Sequence, residues 1–273
     1  MAMTVAGTAH MRYVHHTDSP DVRRWLRPTG GIPMLTVCWA VKGGSGTSTV
    51  TALLALSARR PTTLVDLDGD LPLILGVPPS SRPGIAEWAA SETPADHLDD
   101  LVIEVAPDLR LLPAAAMSAA VPCPITDDRR AVLLDWCASS AAAGVDVIVD
   151  AGTGMLHDRL HDTADRAVLV TRNCYIALQR ASTIRRRPTT VVLIREAATG
   201  LGRADVESAV GAAVGAELAV EPGIARTVNA GLLIARARRL SLSDGPTPHR
   251  LRPLRLGGRR IIAATADAAG GAA

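Results

Sequence analysis

Lys42-Gly43-Gly44-Ser45-Gly46-Thr47-Ser48-Thr49 follows directly on the apolar run Leu35 to Val41. It leads into Ser48 to Arg59, where Val50, Leu53, Leu54 and Leu56 carry a helical apolar pattern. The glycines let the backbone turn tightly and bring its N–H groups onto an anionic oxygen without a Cβ in the way. A helix fed by such a loop presents the positive end of its dipole to the same anion. Strand, glycine loop and helix in this order describe a phosphate-binding loop. Ser48 stands where the Ser or Thr of such a loop places its hydroxyl on Mg²⁺. Lys42 is the only lysine in the 273 residues, and every other cationic side chain is arginine. The usual loop has lysine immediately before its Ser/Thr; here that position holds Thr47.

Working outward, Thr62 to Asp66, Val145 to Asp150, Arg166 to Thr171 and Thr189 to Ile194 read as further buried strands. Continuous aliphatic runs such as Val147-Ile148-Val149 suit a parallel sheet covered on both faces. With helical segments between them, the expected fold is α/β: a doubly wound, mostly parallel sheet with its ligand at the carboxyl ends of the strands. Hydrophobic residues make up 48% of the chain but aromatics only 2%, with no Phe, so the core must be Val, Leu, Ile and Ala. The length suits one such domain, over 34–240. It is flanked by an N-terminal extension, 1–33, and by a basic, then Ala/Gly-rich, tail, 241–273.

These residues resemble the ParA/MinD family of deviant Walker A ATPases, P-loop proteins whose loop reads K-G-G-x-G-K-[ST]. Lys42 matches the extra first lysine, which in that family reaches across a nucleotide-sandwich dimer to the partner's phosphates. The resemblance implies that Gly43, Gly44, Ser45, Gly46, Thr47, Ser48 and Thr49 cradle ATP. It implies that Ser48 and Asp150 hold Mg²⁺. Asp66-Leu67-Asp68 matches the D-x-D of switch I, which gives Asp68 the attacking water. Ala151-Gly152-Thr153-Gly154 matches switch II, with Gly154 sensing the γ-phosphate. Thr47 departs from the pattern, and its hydroxyl replaces a hydrogen bond but not the charge of an ammonium, so ATP hydrolysis is expected to be slow or absent. The family often reads adenine with an Asn at the end of the strand that here closes on Ile194 and Arg195, which leaves adenine against guanine open. Glu221-Pro222 with Asn229-Ala230-Gly231 is similar to the family's C-terminal P…N-x-G segment. The resemblance spans Met34 to Arg239.

Other chemistries are poorly supported. Cys38, Cys123, Cys137 and Cys174 show no C-x-x-C spacing and read as reduced, small apolar residues. His157 and His161 lie one helical turn apart but lack the Glu of H-E-x-x-H. Gly43-Gly44-Ser45-Gly46-Thr47 fails the G-x-S-x-G nucleophile pattern at Thr47. No signal pattern or spanning apolar run is present, so a cytoplasmic protein is expected. A net charge of +2 excludes a strong global basic field but permits local patches. Arg185-Arg186-Arg187, Arg236, Arg238 and Arg239 are a solvated surface or a contact to DNA backbone. Arg250 to Ile262 offers an anionic membrane surface a peripheral contact, interrupted by Pro253 and Gly257-Gly258. The resulting expectation is an ATP-binding switch that forms a homodimer and positions a protein partner. Its degenerate second lysine resembles the CpaE/TadZ and septum-site branches. A partition ATPase binding nonspecific DNA and a nucleotide-free scaffold are the alternatives.

Overall fold

The apolar run ahead of the glycine loop forms β1 (Leu35–Ala40), buried along its whole length. The loop then feeds α1 (Thr47–Leu56), which buries Val50, Leu53 and Leu54. The computed structural model describes residues 32–78, 80–116, 125–197 and 199–242. The expected N-terminal extension up to residue 31 and the tail from 243 lie outside the described residues.

Eight strands form one sheet. They are β1, β2 (Thr62–Asp66), β3 (Ile103–Ala106), β4 (Leu109–Leu112), β5 (Asp146–Thr153), β6 (Arg166–Arg172), β7 (Thr190–Arg195) and β8 (Val214–Ala219). Their spatial order is β3-β4-β2-β5-β1-β6-β7-β8. Every pairing is parallel except the edge hairpin β3-β4, whose turn passes through Asp108 at φ 60. β1 lies between β5 and β6, pairing Val37 with Val149 on one side and with Ala167 on the other. The chain leaving β1 crosses to β2 beyond β5, and the chain leaving β5 crosses to β6 beyond β1. The two connections diverge at the carboxyl ends of β1 and β5. That divergence opens the crevice in which doubly wound sheets bind ligands.

Alternate side chains of the strands enter opposite layers. On one face Cys38, Leu64, Ile148 and Val168 pack under α1, α2 (Leu71–Leu75) and Leu233 of α10 (Leu233–Leu242). On the other face Val37, Val65 and Val149 meet α3 (Ile85–Ala89), α4 (Leu98–Leu101), α5 (Asp127–Ala142) and Leu160 of α6 (Asp158–Thr163). Trp39, Leu169 and Leu193 continue that face under α7 (Tyr175–Ala181) and α8 (Arg203–Val210). The core is aliphatic, with Trp39 among the few fully buried large rings, as the absence of Phe requires.

Two boundaries differ from the sequence reading. The helix after the loop ends at Leu56, not Arg59, because Ser57 caps it on the Leu53 carbonyl. The strand read as ending at Asp150 continues to Thr153, where Ala40 pairs with Thr153 after a bulge in β5.

α2 follows the acidic loop after β2 and docks on α9 (Pro222–Asn229) through two backbones in contact. Gly76 ends α2 at φ 76, and a Cβ there would meet the Gly231 carbonyl oxygen at 2.1 Å. Gly76→Ala combines left-handed strain with a backbone clash. It is expected to cost about 2–4 kcal/mol of unfolding free energy, read by urea denaturation. A change below 0.5 kcal/mol would mean that the α2–α9 contact gives way freely.

Candidate functional site

The glycine loop sits at the crevice between β1 and β5. Gly44 and Gly46 take φ 75 and 90, the left-handed region that the turn back toward α1 demands. Gly46 is the N-cap of α1 and offers no side-chain cap. The first amide of the helix with a helical acceptor is Val50, donating to the Gly46 carbonyl at 2.9 Å. The amides ahead of it carry the helix's partial positive charge without a helical partner. A Cβ built at Gly43, Gly44 or Gly46 meets nothing within 4 Å, so open space lies over the loop. The loop is braced from beneath, where the Ser45 hydroxyl donates to the Lys42 carbonyl at 2.7 Å. Lys42 Nζ rests on the Gly43 carbonyl at 3.2 Å.

Carboxylates crowd the same edge. Asp150 on β5 is fully buried, lies beside the Ser48 hydroxyl, and accepts the Gly152 N–H on Oδ1 at 3.1 Å. Its Oδ2 is buried with no hydrogen-bond partner. Burial pushes this carboxyl up to about 6, eased by Ser48 and Gly152 and reinforced by the charges of Asp68 and Asp70. Asp66, opposite it on β2, is also fully buried. It accepts the Gly69 N–H at 2.8 Å, the Asp68 N–H at 3.2 Å and the Leu71 N–H at 3.3 Å. Burial lifts Asp66 to about 7 in spite of the Gly69 bond, and Asp150 adds to the rise. Asp68 is raised by burial and by Asp70, and it lies so close over Gly152 that a Cβ there would fall 2.2 Å from Oδ1.

A hydroxyl, an orphaned carboxylate oxygen and surplus negative charge beside an anion cradle fit Mg²⁺. That cation keeps most of its positions for water and phosphate and asks few protein ligands. Among the described residues no group of three or more His, Cys, Asp or Glu forms an all-protein metal cage. His157 and His161 do not converge. The first faces Asp127 at 3.3 Å, and the second contacts the Arg187 carbonyl at 2.8 Å.

Neither a family model nor a curated protein sequence matches the chain. Solved structures do match. A ParA family ATPase from Chlorobium tepidum superposes with a TM-score of 0.58 at 18% identity, over 84% of this chain and 96% of its own. The MinC:MinD cell division protein complex of Aquifex aeolicus gives 0.59 at 18% identity, over 79% and 99%. The septum site-determining protein MinD of Pyrococcus horikoshii, complexed with Mg-ADP, gives 0.56 at 17% identity, over 86% and 96%. The fold is that of the ParA and MinD ATPases.

Within this ParA/MinD-type fold, the residues expected from sequence gather at one edge. Gly43 to Thr49 form the loop, Ser48 lies beside Asp150, and Asp68 covers Gly152. Two of these residues bond elsewhere in the chain. The Gly154 N–H donates to the Ala40 carbonyl at 2.8 Å, so its use on a phosphate requires the end of β5 to release β1. Lys42 folds onto its own loop rather than outward.

Sequence reasoning passed over Asn173, whose buried amide clasps the segment after β7. Its Nδ2 donates to the Glu196 and Leu201 carbonyls at 3.1 and 2.9 Å, and its Oδ1 accepts the Glu196 N–H at 2.8 Å. An Asn just past a strand's carboxyl end was the available signal. Burial drives the Cys38 and Cys137 thiols up to about 12 and away from reactivity.

Proposed function

We propose that this chain is an ATP- and Mg²⁺-dependent switch that dimerises when loaded and positions a partner assembly, with slow or absent hydrolysis. The observation that carries the reading is the buried, unpartnered Oδ2 of Asp150 beside the Ser48 hydroxyl, at the foot of an open amide cradle. Anion cradle and cation site share one crevice, as a metal–nucleotide requires. The Mg-ADP bound by the Pyrococcus MinD lends weight to this pairing.

In this reading the amides of Gly43 to Thr49 bind the phosphates, and Ser48 and Asp150 hold Mg²⁺. When bound, Mg²⁺ neutralises charge between the phosphate oxygens. Asp68, held over Gly152, orients the attacking water. Lys42 leaves the Gly43 carbonyl and contacts the phosphates of a second copy. Exposed Met155, Tyr175 and Ile176 follow the carboxyl ends of β5 and β6, on the strands either side of or next to the loop strand, and supply apolar surface for that contact. The MinC:MinD complex is a precedent for a protein partner on this fold.

The DNA-partition alternative draws on the arginine run at 185–187, two of whose members are engaged within the chain. Arg186 pairs with Asp158 at 3.3 Å, and Arg187 donates to the Val210 carbonyl at 3.2 Å. No helix among the described residues is long and apolar enough to cross a membrane. The region expected to touch a membrane peripherally, Arg250 to Ile262, lies outside the described residues.

The test is titration calorimetry of the full chain with ATP and Mg²⁺, paired with light scattering for the dimer. Binding is expected, with an ATP-dependent rise to dimer mass that Lys42→Ala abolishes. No heat from the native chain would leave the nucleotide-free scaffold as the surviving reading.

A further inference from the structure

Thr47 leaves the loop without a lysine beside its own phosphates, and Lys42 is assigned to those of the partner. A polyanionic ligand over a site already holding Asp66, Asp68, Asp70 and Asp150 calls for another cation. Because every cation in the chain except Lys42 is arginine, the cation to look for is a guanidinium.

Arg180 is placed for that task. It lies on α7, which is fixed beside the end of β1 by Leu178 and Ala181 packing with Trp39 and Val41. Its Nη1 donates to the Val41 carbonyl at 3.3 Å, one residue before Lys42. Among the described residues, Lys42 and Arg180 are the cationic side chains that hydrogen-bond to the loop or its entry. The neighbouring guanidiniums at the carboxyl ends of strands are committed elsewhere. Arg172 at the end of β6 pairs with Glu196 at 2.5 Å, and Arg195 at the end of β7 pairs with Glu217 at 2.6 Å. Arg180 makes no ion pair among the described residues and is exposed. One long bond to a neutral carbonyl leaves most of its N–H donors free.

The geometry points to Arg180 as the cation that stands in for the missing loop lysine by binding the phosphates of a nucleoside triphosphate held over Gly43 to Ser48. This rests on the nucleotide reading above. Arginine cannot occupy the lysine's own position without crowding the amides, since its planar fork is wider than an ammonium. From the adjacent helix it reaches the loop's edge and meets phosphate oxygens in pairs.

The experiment measures the Kd for Mg-ATP on the full native chain, Arg180→Ala, Arg180→Lys, Thr47→Lys and the double variant Thr47→Lys/Arg180→Ala, with melting temperatures beside them. Arg180→Ala is expected to weaken Mg-ATP by about tenfold to a hundredfold, as loss of a charged hydrogen bond does. Arg180→Lys should recover part of this, and melting should be unchanged. In the Thr47→Lys background, the same removal should cost less than about threefold, because the loop again carries its own cation. Native-like affinity in Arg180→Ala overturns the inference alone. An equal loss in both backgrounds, or a loss that follows a fall in melting temperature, assigns Arg180 a structural tie between α7 and β1 and overturns it too. Binding by Thr47→Lys but not by the native chain removes the nucleotide reading together with this one.

Discussion

Thr47→Lys is expected to raise steady-state ATP turnover by about a hundredfold, measured as phosphate release with Mg²⁺. Thr47 opens α1 and is buried directly before Ser48, at the foot of the amide cradle. Its backbone carbonyl accepts the Thr51 hydroxyl at 2.9 Å. Lysine keeps that bond. What it adds is a charge beside the oxygens on which negative charge develops, and such a preorganised donor is worth about 10²–10³ in rate. The stem replaces a β-branched residue at a helix start at little cost. Melting within about 2 °C of native would show the two chains fold alike. An unchanged rate in a variant that binds ATP would mean that the limiting step is not charge neutralisation, and would point instead to release of the β5 end from Ala40.

The sequence carried the centre of this fold plainly and its edges poorly. Leu35 to Val41, Thr62 to Asp66 and Val147 to Val149 are central parallel strands. Burial on both faces writes itself as an unbroken aliphatic run. β3, β4 and β8 were not read. Ile103-Glu104-Val105-Ala106 is short, and Val214 to Ala219 alternates buried positions with more exposed ones, as strands near a sheet's rim do. Within the site, the loop and the acids at Asp68 and Asp150 were legible because spacing fixes them along the chain. The roles of Asp66 and Arg180 were not. Asp66 differs from Asp68 only in being turned inward on β2, where it ties down three backbone amides. Arg180 reaches Val41 across 139 residues of sequence, a proximity that strand order alone creates. The extension of β5 to Thr153 was hidden for the same reason, since it depends on pairing with β1 across a bulge in β5.

Asp150→Asn is expected to stabilise the free protein while removing its response to Mg-ATP. Asp150 and Asp66 titrate near 6 and 7 in the fold, against 3.8 for the ordinary carboxyl, because burial penalises their charged forms. The folded chain therefore holds more protons than the unfolded chain between about pH 4 and pH 7. The stabilisation that protonation gives is complete below pH 4 and is lost as pH rises through 6 and 7. The ligand-free chain should accordingly melt at a higher temperature at pH 5.5 than at pH 7.5. Asparagine keeps the shape, keeps an oxygen for the Gly152 N–H, and carries no charge to bury. At pH 7.5 the gain should be about 1–3 kcal/mol, with a flatter pH profile. Mg-ATP acts in the opposite direction on the native chain, since the bound cation makes the ionised carboxylate the favoured form. Ligand at a hundred times its Kd should add about 2.7 kcal/mol to native stability, and little to Asp150→Asn. Thermal melts at both pH values, with and without Mg-ATP, separate the two effects. A ligand-free Asp150→Asn chain that melts below native at pH 7.5 would show the buried carboxylate to be a structural acceptor, not a site held open for a cation.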